Sequence, residues 1–130
     1  MLKLNHLNLT VGDVPAVCNF FEQCSAFKVT ERRGTGKFAV LEGKDGFALI
    51  LMHGKDETEL RYPDLFHIGF LVSDESQVHA TWEQMAAAGY EPPKPEILKR
   101  GGDKTYGFYH PIPGGVLVEV SAPAASGQQL

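Results

Sequence analysis

The sequence predicts an α+β fold of two βαβββ modules forming cupped mixed sheets, and three observations predict it. A strand pattern entered through histidine occurs twice, as Asn5-His6-Leu7-Asn8-Leu9-Thr10-Val11 and as Phe66-His67-Ile68-Gly69-Phe70-Leu71-Val72. Each is followed closely by an Asp suited to capping a helix, Asp13 and Asp74. A polar stretch ending in Tyr62-Pro63-Asp64 separates the two halves. Internal repetition of this kind sets the architecture before any local detail does.

In the first half, residues 4–11 alternate with period two and read as a strand. Asp13 is a natural N-cap, and Pro15 suits a first helical turn. Val14, Val17, Phe21 and Cys24 then share one helical face. Residues 27–33 read as a strand, Gly34-Thr35-Gly36 as a turn, 37–42 as a strand, Lys44-Asp45-Gly46 as a tight turn, and 47–52 as a strand.

The second half repeats that order. Residues 66–72 form a strand, and Asp74 with Gln77 resembles a capping box. Val78, Trp82, Met85 and Ala86 share a helical face, and Gly89 stops the helix. Pro92-Pro93-Lys94-Pro95 leads to a strand near 96–99, then a Gly-rich loop at 100–103. Strands follow at 105–110 and 116–121, joined by a turn at 112–115, and a small polar tail at 123–130 is expected to fray. The domain organisation is therefore one domain over 1–130, with modules at about 3–54 and 65–122.

Bulk properties exclude several function classes. At 130 residues the chain is long enough to bury a real core. A formal charge of −4 gives no electrostatic case for nucleic acid or an anionic membrane. No apolar run approaches a transmembrane span and no signal-peptide pattern opens the chain, so a cytoplasmic location is expected. Cys18 and Cys24, six residues apart on one helix, point in different directions, lie too far apart to bridge, and are expected reduced. No nucleophile constellation and no phosphate-binding glycine loop is evident, Ser73 and Ser121 lacking a convincingly placed histidine.

His6, His67 and Glu119 are the candidate ligands of a divalent metal with open coordination positions. A lone strand histidine is ordinarily a half-buried side chain, and a lone strand carboxylate ordinarily faces solvent; it is the conjunction in a duplicated domain that carries weight. Val118 and Val120 point away from the face that Glu119 uses.

The doubled βαβββ plan resembles the vicinal oxygen chelate superfamily, which includes glyoxalase I, extradiol dioxygenases, fosfomycin-resistance enzymes and bleomycin-binding proteins. The resemblance covers about residues 3–122. It rests most on His6-Leu7-Asn8-Leu9-Thr10-Val11 with Asp13, and on Phe108-Tyr109-His110-Pro111-Ile112-Pro113-Gly114-Gly115 running into Glu119. It implies metal ligands on the first and last strands of each half, and His6, His67 and Glu119 occupy three of those four positions. The fourth falls on Ile50, which cannot bind metal, and this departs from glyoxalase I; His53 has the wrong parity to substitute.

The resemblance further implies a Tyr ten residues before the ligating Glu, which is Tyr109, as the catalytic residue, with Tyr106 a weaker candidate. Asn8, Ile50, Phe108, Lys99 and Arg100 are expected to contact substrate, with Ala48, Met52 and Phe70 adding to an apolar cup. Lys99, Arg100 and Lys104 form a basic loop that is either a closing lid or a solvated turn. His110 is expected outside the cup, and His79 on a solvated helix face. No Arg follows Glu119, which weakens an antibiotic-resistance reading. A single fold carries many chemistries. The expectation is an Fe(II) extradiol-type dioxygenase acting on a dihydroxylated aromatic, with Mn(II) or Zn(II) as other ions. Its rivals are a fosfomycin-type Mn(II) thiol transferase, a metal-free drug-binding protein and a glyoxalase I-like lyase. The expected assembly is a homodimer whose sites are shared, His6 coming from one chain and His67 with Glu119 from the other.

Overall fold

A computed structural model describes residues 1–54, 62–99, 104–113 and 115–124. The chain divides into unit 1, Met1–Pro63 with Ile112–Val116, and unit 2, Asp64–Pro111 with Leu117–Leu130.

Unit 1 carries β1 (His6–Val11), α1 (Val14–Cys24), β2 (Lys28–Arg33), β3 (Phe38–Glu42) and β4 (Ala48–His53) in a sheet of order β1-β4-β3-β2. β1 runs parallel to β4, and the other pairs are antiparallel. α1 forms where Asp13, in extended backbone, accepts the Ala16 N–H at 3.0 Å, with Pro15 in the first turn. It ends where the Ser25 backbone N–H caps the Phe21 carbonyl at 3.0 Å. The expected face of Val14, Val17, Phe21 and Cys24 is buried, and Cys18 and Phe20 widen it. Opposite lie Leu9, Val11, Ala39, Leu41, Leu49 and Leu51, all buried. Phe20 and Phe21 meet edge to face at 5.3 Å, each side chain contributing about 1.5–3 kcal/mol by burial. The two cysteines are free, and burial pushes both thiols up, so they behave as small core hydrophobes. At Thr10 on the sheet's edge strand, the Tyr62 hydroxyl accepts the backbone N–H at 3.0 Å and donates to the carbonyl at 2.9 Å.

Unit 2 repeats the plan with β5 (His67–Leu71), α2 (Glu75–Ala87), β6 (Glu96–Leu98), β7 (Thr105–Pro111) and β8 (Leu117–Pro123), in the order β5-β8-β7-β6. Asp74 accepts the Gln77 N–H at 2.9 Å and the Ser76 hydroxyl at 2.7 Å, and the hydroxyl foremost holds its carboxyl below the usual range. At the other end Tyr90 N–H reaches the Met85 carbonyl and Gly89 N–H the Ala86 carbonyl, each at 3.1 Å. This double closure needs a left-handed residue at Gly89, whose φ is +93°. α2 buries Val78 and Met85. Trp82 is half-buried and donates its indole N–H to the Pro92 carbonyl at 3.1 Å. Ala86, expected on this face, is exposed, because it falls about 80° round from Val78 at the helical pitch. Observed strand limits differ from those expected by a residue or two, as hydrogen-bond fraying at element ends dictates. Among the described residues no helix is long and apolar enough to cross a membrane.

His110 is buried on β7 and meets Tyr90 edge to face at 6.0 Å. Burial lowers its pKa, so the native state binds its proton later than the unfolded chain does. Stability from this group is present above about pH 6.5 and falls as pH drops toward the folded-state pKa. Urea midpoints should therefore decline on acidification below about pH 6.5, and His110→Gln should flatten that decline. An unchanged slope in the variant would assign the decline to other groups.

Candidate metal centre

Unit 2 assembles its site by register. Gly69 pairs with Glu119 and Leu71 with Ser121 across the parallel β5-β8 ladder. Tyr109 pairs with Glu119 and Gly107 with Ser121 across β7-β8. Strand alternation thus sets His67, Gly69, Gly107, Tyr109, Glu119 and Ser121 on one face, opposite the face that packs on α2.

Glu119 is only 5% exposed. Its Oε2 accepts the Ser121 hydroxyl at 2.6 Å, and its Oε1 lies 3.3 Å from His67 Nε2. His67 Nδ1 lies 2.9 Å from the Leu65 carbonyl oxygen. A carbonyl can only accept, so Nδ1 carries the hydrogen and, in neutral imidazole, Nε2 presents a lone pair. A lone pair facing a carboxylate oxygen at this distance leaves room for a bridging proton or a metal ion to join the two. Two ligands at about 2.0–2.2 Å from one ion, subtending 90–110°, stand about 3.0–3.4 Å apart, and the observed spacing lies in that range. Tyr109 meets the His67 ring edge-on, centroids 5.3 Å apart.

Unit 1 gives the corresponding positions a different chemistry. His6 pairs with Ala48 and Asn8 with Ile50, as His67 pairs with Leu117 and Gly69 with Glu119. The register therefore makes Ile50 the counterpart of Glu119 and His6 the counterpart of His67. By the same ladders Val40 corresponds to Tyr109, Met52 to Ser121 and Phe38 to Gly107. His6 is exposed, with Nδ1 2.7 Å from the Asn5 side-chain carbonyl oxygen, which again leaves Nε2 as the lone-pair nitrogen. Asn8, on the same strand face, donates to the Met52 sulfur at 3.1 Å. Arg33 stacks over Phe38 at 4.6 Å and pairs with Glu31 at 2.9 Å.

The donors of unit 2 suit a divalent ion, a buried carboxylate beside an imidazole whose Nε2 carries the lone pair, and in unit 1 the His6 ring is held in the same tautomer. Among the described residues, no three His, Cys, Asp or Glu side chains gather into a group that could hold a metal ion.

Several expected site residues lie elsewhere. Phe108 is buried on the α2 face of the sheet, paired with Val120, and so does not share the face of Glu119; Phe70 follows the same parity. Tyr106 also faces α2, where its hydroxyl and His79 Nε2 are 2.7 Å apart, so His79 is not simply solvated. Burial and the Glu75 charge raise the Tyr106 phenol. His53 is the exposed last residue of β4, with parity opposite to Ile50. Lys99 is exposed beyond the end of β6, and Arg100 lies outside the described residues. As a nucleophile Ser121 offers nothing in the sequence, but in the structure its hydroxyl bonds Glu119. The signal that could have found its role is its place two residues after Glu119 on a strand, which puts both on one face.

A family model described as Glyoxalase/Bleomycin resistance protein/Dioxygenase superfamily matches residues 3–120. Among solved structures, one described as a possible glyoxalase from Bacillus cereus is 37% identical, with a TM-score of 0.76, covering 92% of this chain and 98% of that one. A genomically encoded fosfomycin resistance protein from Listeria monocytogenes is 19% identical, with a TM-score of 0.73, covering 98% and 97%. A lactoylglutathione lyase from Agrobacterium tumefaciens is 16% identical, with a TM-score of 0.69, covering 92% of each chain. These last two share the fold alone. No match was found among curated proteins.

Proposed function

The chain belongs to the Glyoxalase/Bleomycin resistance protein/Dioxygenase superfamily, and from that premise we propose that it is a divalent-metal enzyme binding its substrate through two adjacent oxygens. The observation that carries the reading is the buried Glu119 carboxylate 3.3 Å from the His67 lone-pair nitrogen. In this reading His6, His67 and Glu119 hold the ion. A divalent ion held there would supply Lewis-acid chemistry to the substrate oxygens, and Fe(II) would also supply redox chemistry toward dioxygen.

The finer reading is an Fe(II) extradiol-type dioxygenase on a dihydroxylated aromatic. It is supported by Ile50 at the counterpart of Glu119, which leaves one coordination position unfilled by protein. Leu65 and Asn5 fix the histidine tautomers. Tyr109, beside His67, donates a hydrogen bond to a substrate oxygen as it gains charge. The apolar face of Val40, Ile50 and Phe38 favours a flat organic substrate over a small charged one. A second reading, hemithioacetal isomerisation, is favoured by the 37% identity to the possible glyoxalase.

Metal content of protein purified without chelator comes first. Oxygen uptake over a catechol panel, against turnover of the methylglyoxal–glutathione hemithioacetal, then separates the readings. Hemithioacetal turnover with no oxygen uptake on any catechol would replace the dioxygenase reading by the isomerase.

The reading extends to a cytoplasmic homodimer with shared sites, His6 from one chain and His67 with Glu119 from the other. Supporting it, β1 and β5 are each an edge strand of their own sheet among the described residues. Mixing inactive His6→Ala chains with inactive Glu119→Ala chains should restore up to about half of native activity per heterodimer, since one site collects both lesions and the other neither. No recovery after verified chain exchange would sink the shared site.

A further inference from the structure

Glu119 has two oxygens, and something must decide which of them meets a metal. Ser121 lies two residues on along β8, on the same face and likewise only 5% exposed. A carboxylate only accepts, so the 2.6 Å contact is the serine hydroxyl donating to Oε2. That length is typical of a charge-assisted O–H···O⁻ bond, the stronger kind. The bond engages Oε2 and turns Oε1 toward His67 Nε2.

The surrounding backbone makes room for this arrangement. Gly107 faces Ser121 across the β7-β8 ladder, and a Cβ there would stand 2.8 Å from Ser121 Cα and 2.9 Å from its Cβ. The absent side chain is what lets Ser121 occupy its position. The first repeat supplies an internal comparison. The counterparts of Glu119, Ser121 and Gly107 there are Ile50, Met52 and Phe38, so the hydroxyl and its clearance occur in the repeat that has the carboxylate.

We propose that Ser121 is the positioning residue of the metal centre: its hydroxyl selects Oε1 as the ligating oxygen and restricts Glu119 to attachment through one oxygen. In this role Ser121 acts through Glu119, by the 2.6 Å hydrogen bond, and is not itself a ligand. The inference rests on the reading of His67 and Glu119 as metal ligands. It predicts a site geometry that the ligand residues alone leave open, because an untethered carboxylate can attach through both oxygens.

The test is titration of the full-length protein with Co(II), read by affinity and by the visible d–d spectrum, beside thermal unfolding of the metal-free protein. Ser121→Ala should weaken Co(II) binding about 10–100-fold, the usual consequence of losing a ligand's hydrogen-bond partner. Its spectrum should shift toward higher coordination as Oε2 joins the ion. Ser121→Thr, which keeps the hydroxyl, should restore both. If Ser121→Ala does not fold, the pair Ser121→Thr and Ser121→Val isolates the hydroxyl at constant shape, and Val should show the same loss. Wild-type binding with unchanged affinity and spectrum in the hydroxyl-free variants would overturn the role of Ser121 and leave the metal reading standing. Loss of affinity in Ala, Val and Thr alike would also overturn it, since shape rather than the hydroxyl would then be responsible. A wild type that binds no Co(II) would overturn both.

Discussion

Gly107→Ala is expected to destabilise the protein by about 3 kcal/mol or more, at the upper end for overpacking a strand interior. The added Cβ would collide with the Val120 carbonyl oxygen and press on Ser121 Cα and Cβ. Two of these three atoms are backbone, held by the β7-β8 ladder, so no rotamer change relieves the clash. The strand must separate locally, and it is the strand that carries Glu119. Gly69→Ala is the control. It adds the same methyl group on the same face, yet meets nothing within 4 Å. Its stability should be unchanged or raised by up to about 1 kcal/mol. Urea unfolding of the two variants decides the matter, and equal costs would show that generic glycine replacement rather than the Gly107 clearance is being measured.

His67→Ala and Glu119→Gln should each reduce divalent-metal affinity by at least about 100-fold, beyond the loss typical of an outer partner. The two differ in their effect on the metal-free fold. Glu119→Gln removes a buried charge while keeping shape, and the amide can still receive the Ser121 hydroxyl at its carbonyl oxygen. His67→Ala leaves the carboxylate buried without the imidazole 3.3 Å away, and a buried charge deprived of its partner is costly. The metal-free His67→Ala protein should therefore be the less stable of the pair. Retention of stoichiometric metal at native affinity in either variant would remove that residue from the ligand set.

The fold was legible because its punctuation is local. Asp13 with Pro15, and Asp74 with Gly89, mark helix ends by backbone chemistry that needs no tertiary partner, and the structure shows each of them in use. The pairing of His6 with His67 as repeat counterparts was legible for the same reason, each heading an alternating strand. What failed was long-range placement. Phe108 and Tyr109 are adjacent on one strand and so cannot both face Glu119; alternation alone excludes one, and the ladder register assigns the site face to Tyr109. The contact of His79 with Tyr106 joins a helix to a strand 27 residues on, and no periodicity announces it. Ser121 is not found by a search for nucleophiles, because its contact is a hydrogen bond to Glu119 and not to a histidine.

The correspondence of Ile50, Met52, Val40 and Phe38 with Glu119, Ser121, Tyr109 and Gly107 has a consequence for how such a protein can change over generations. In the second repeat each of these positions meets a specific demand of charge, hydrogen bonding, ring contact or backbone clearance. In the first repeat the same four positions hold apolar side chains, whose demand for volume several residue types can satisfy. Variation can accumulate there and reshape what the apolar face accepts while the ionic half stays as it is. The duplicated plan thus pairs one half whose chemistry is exacting with one whose chemistry is tolerant.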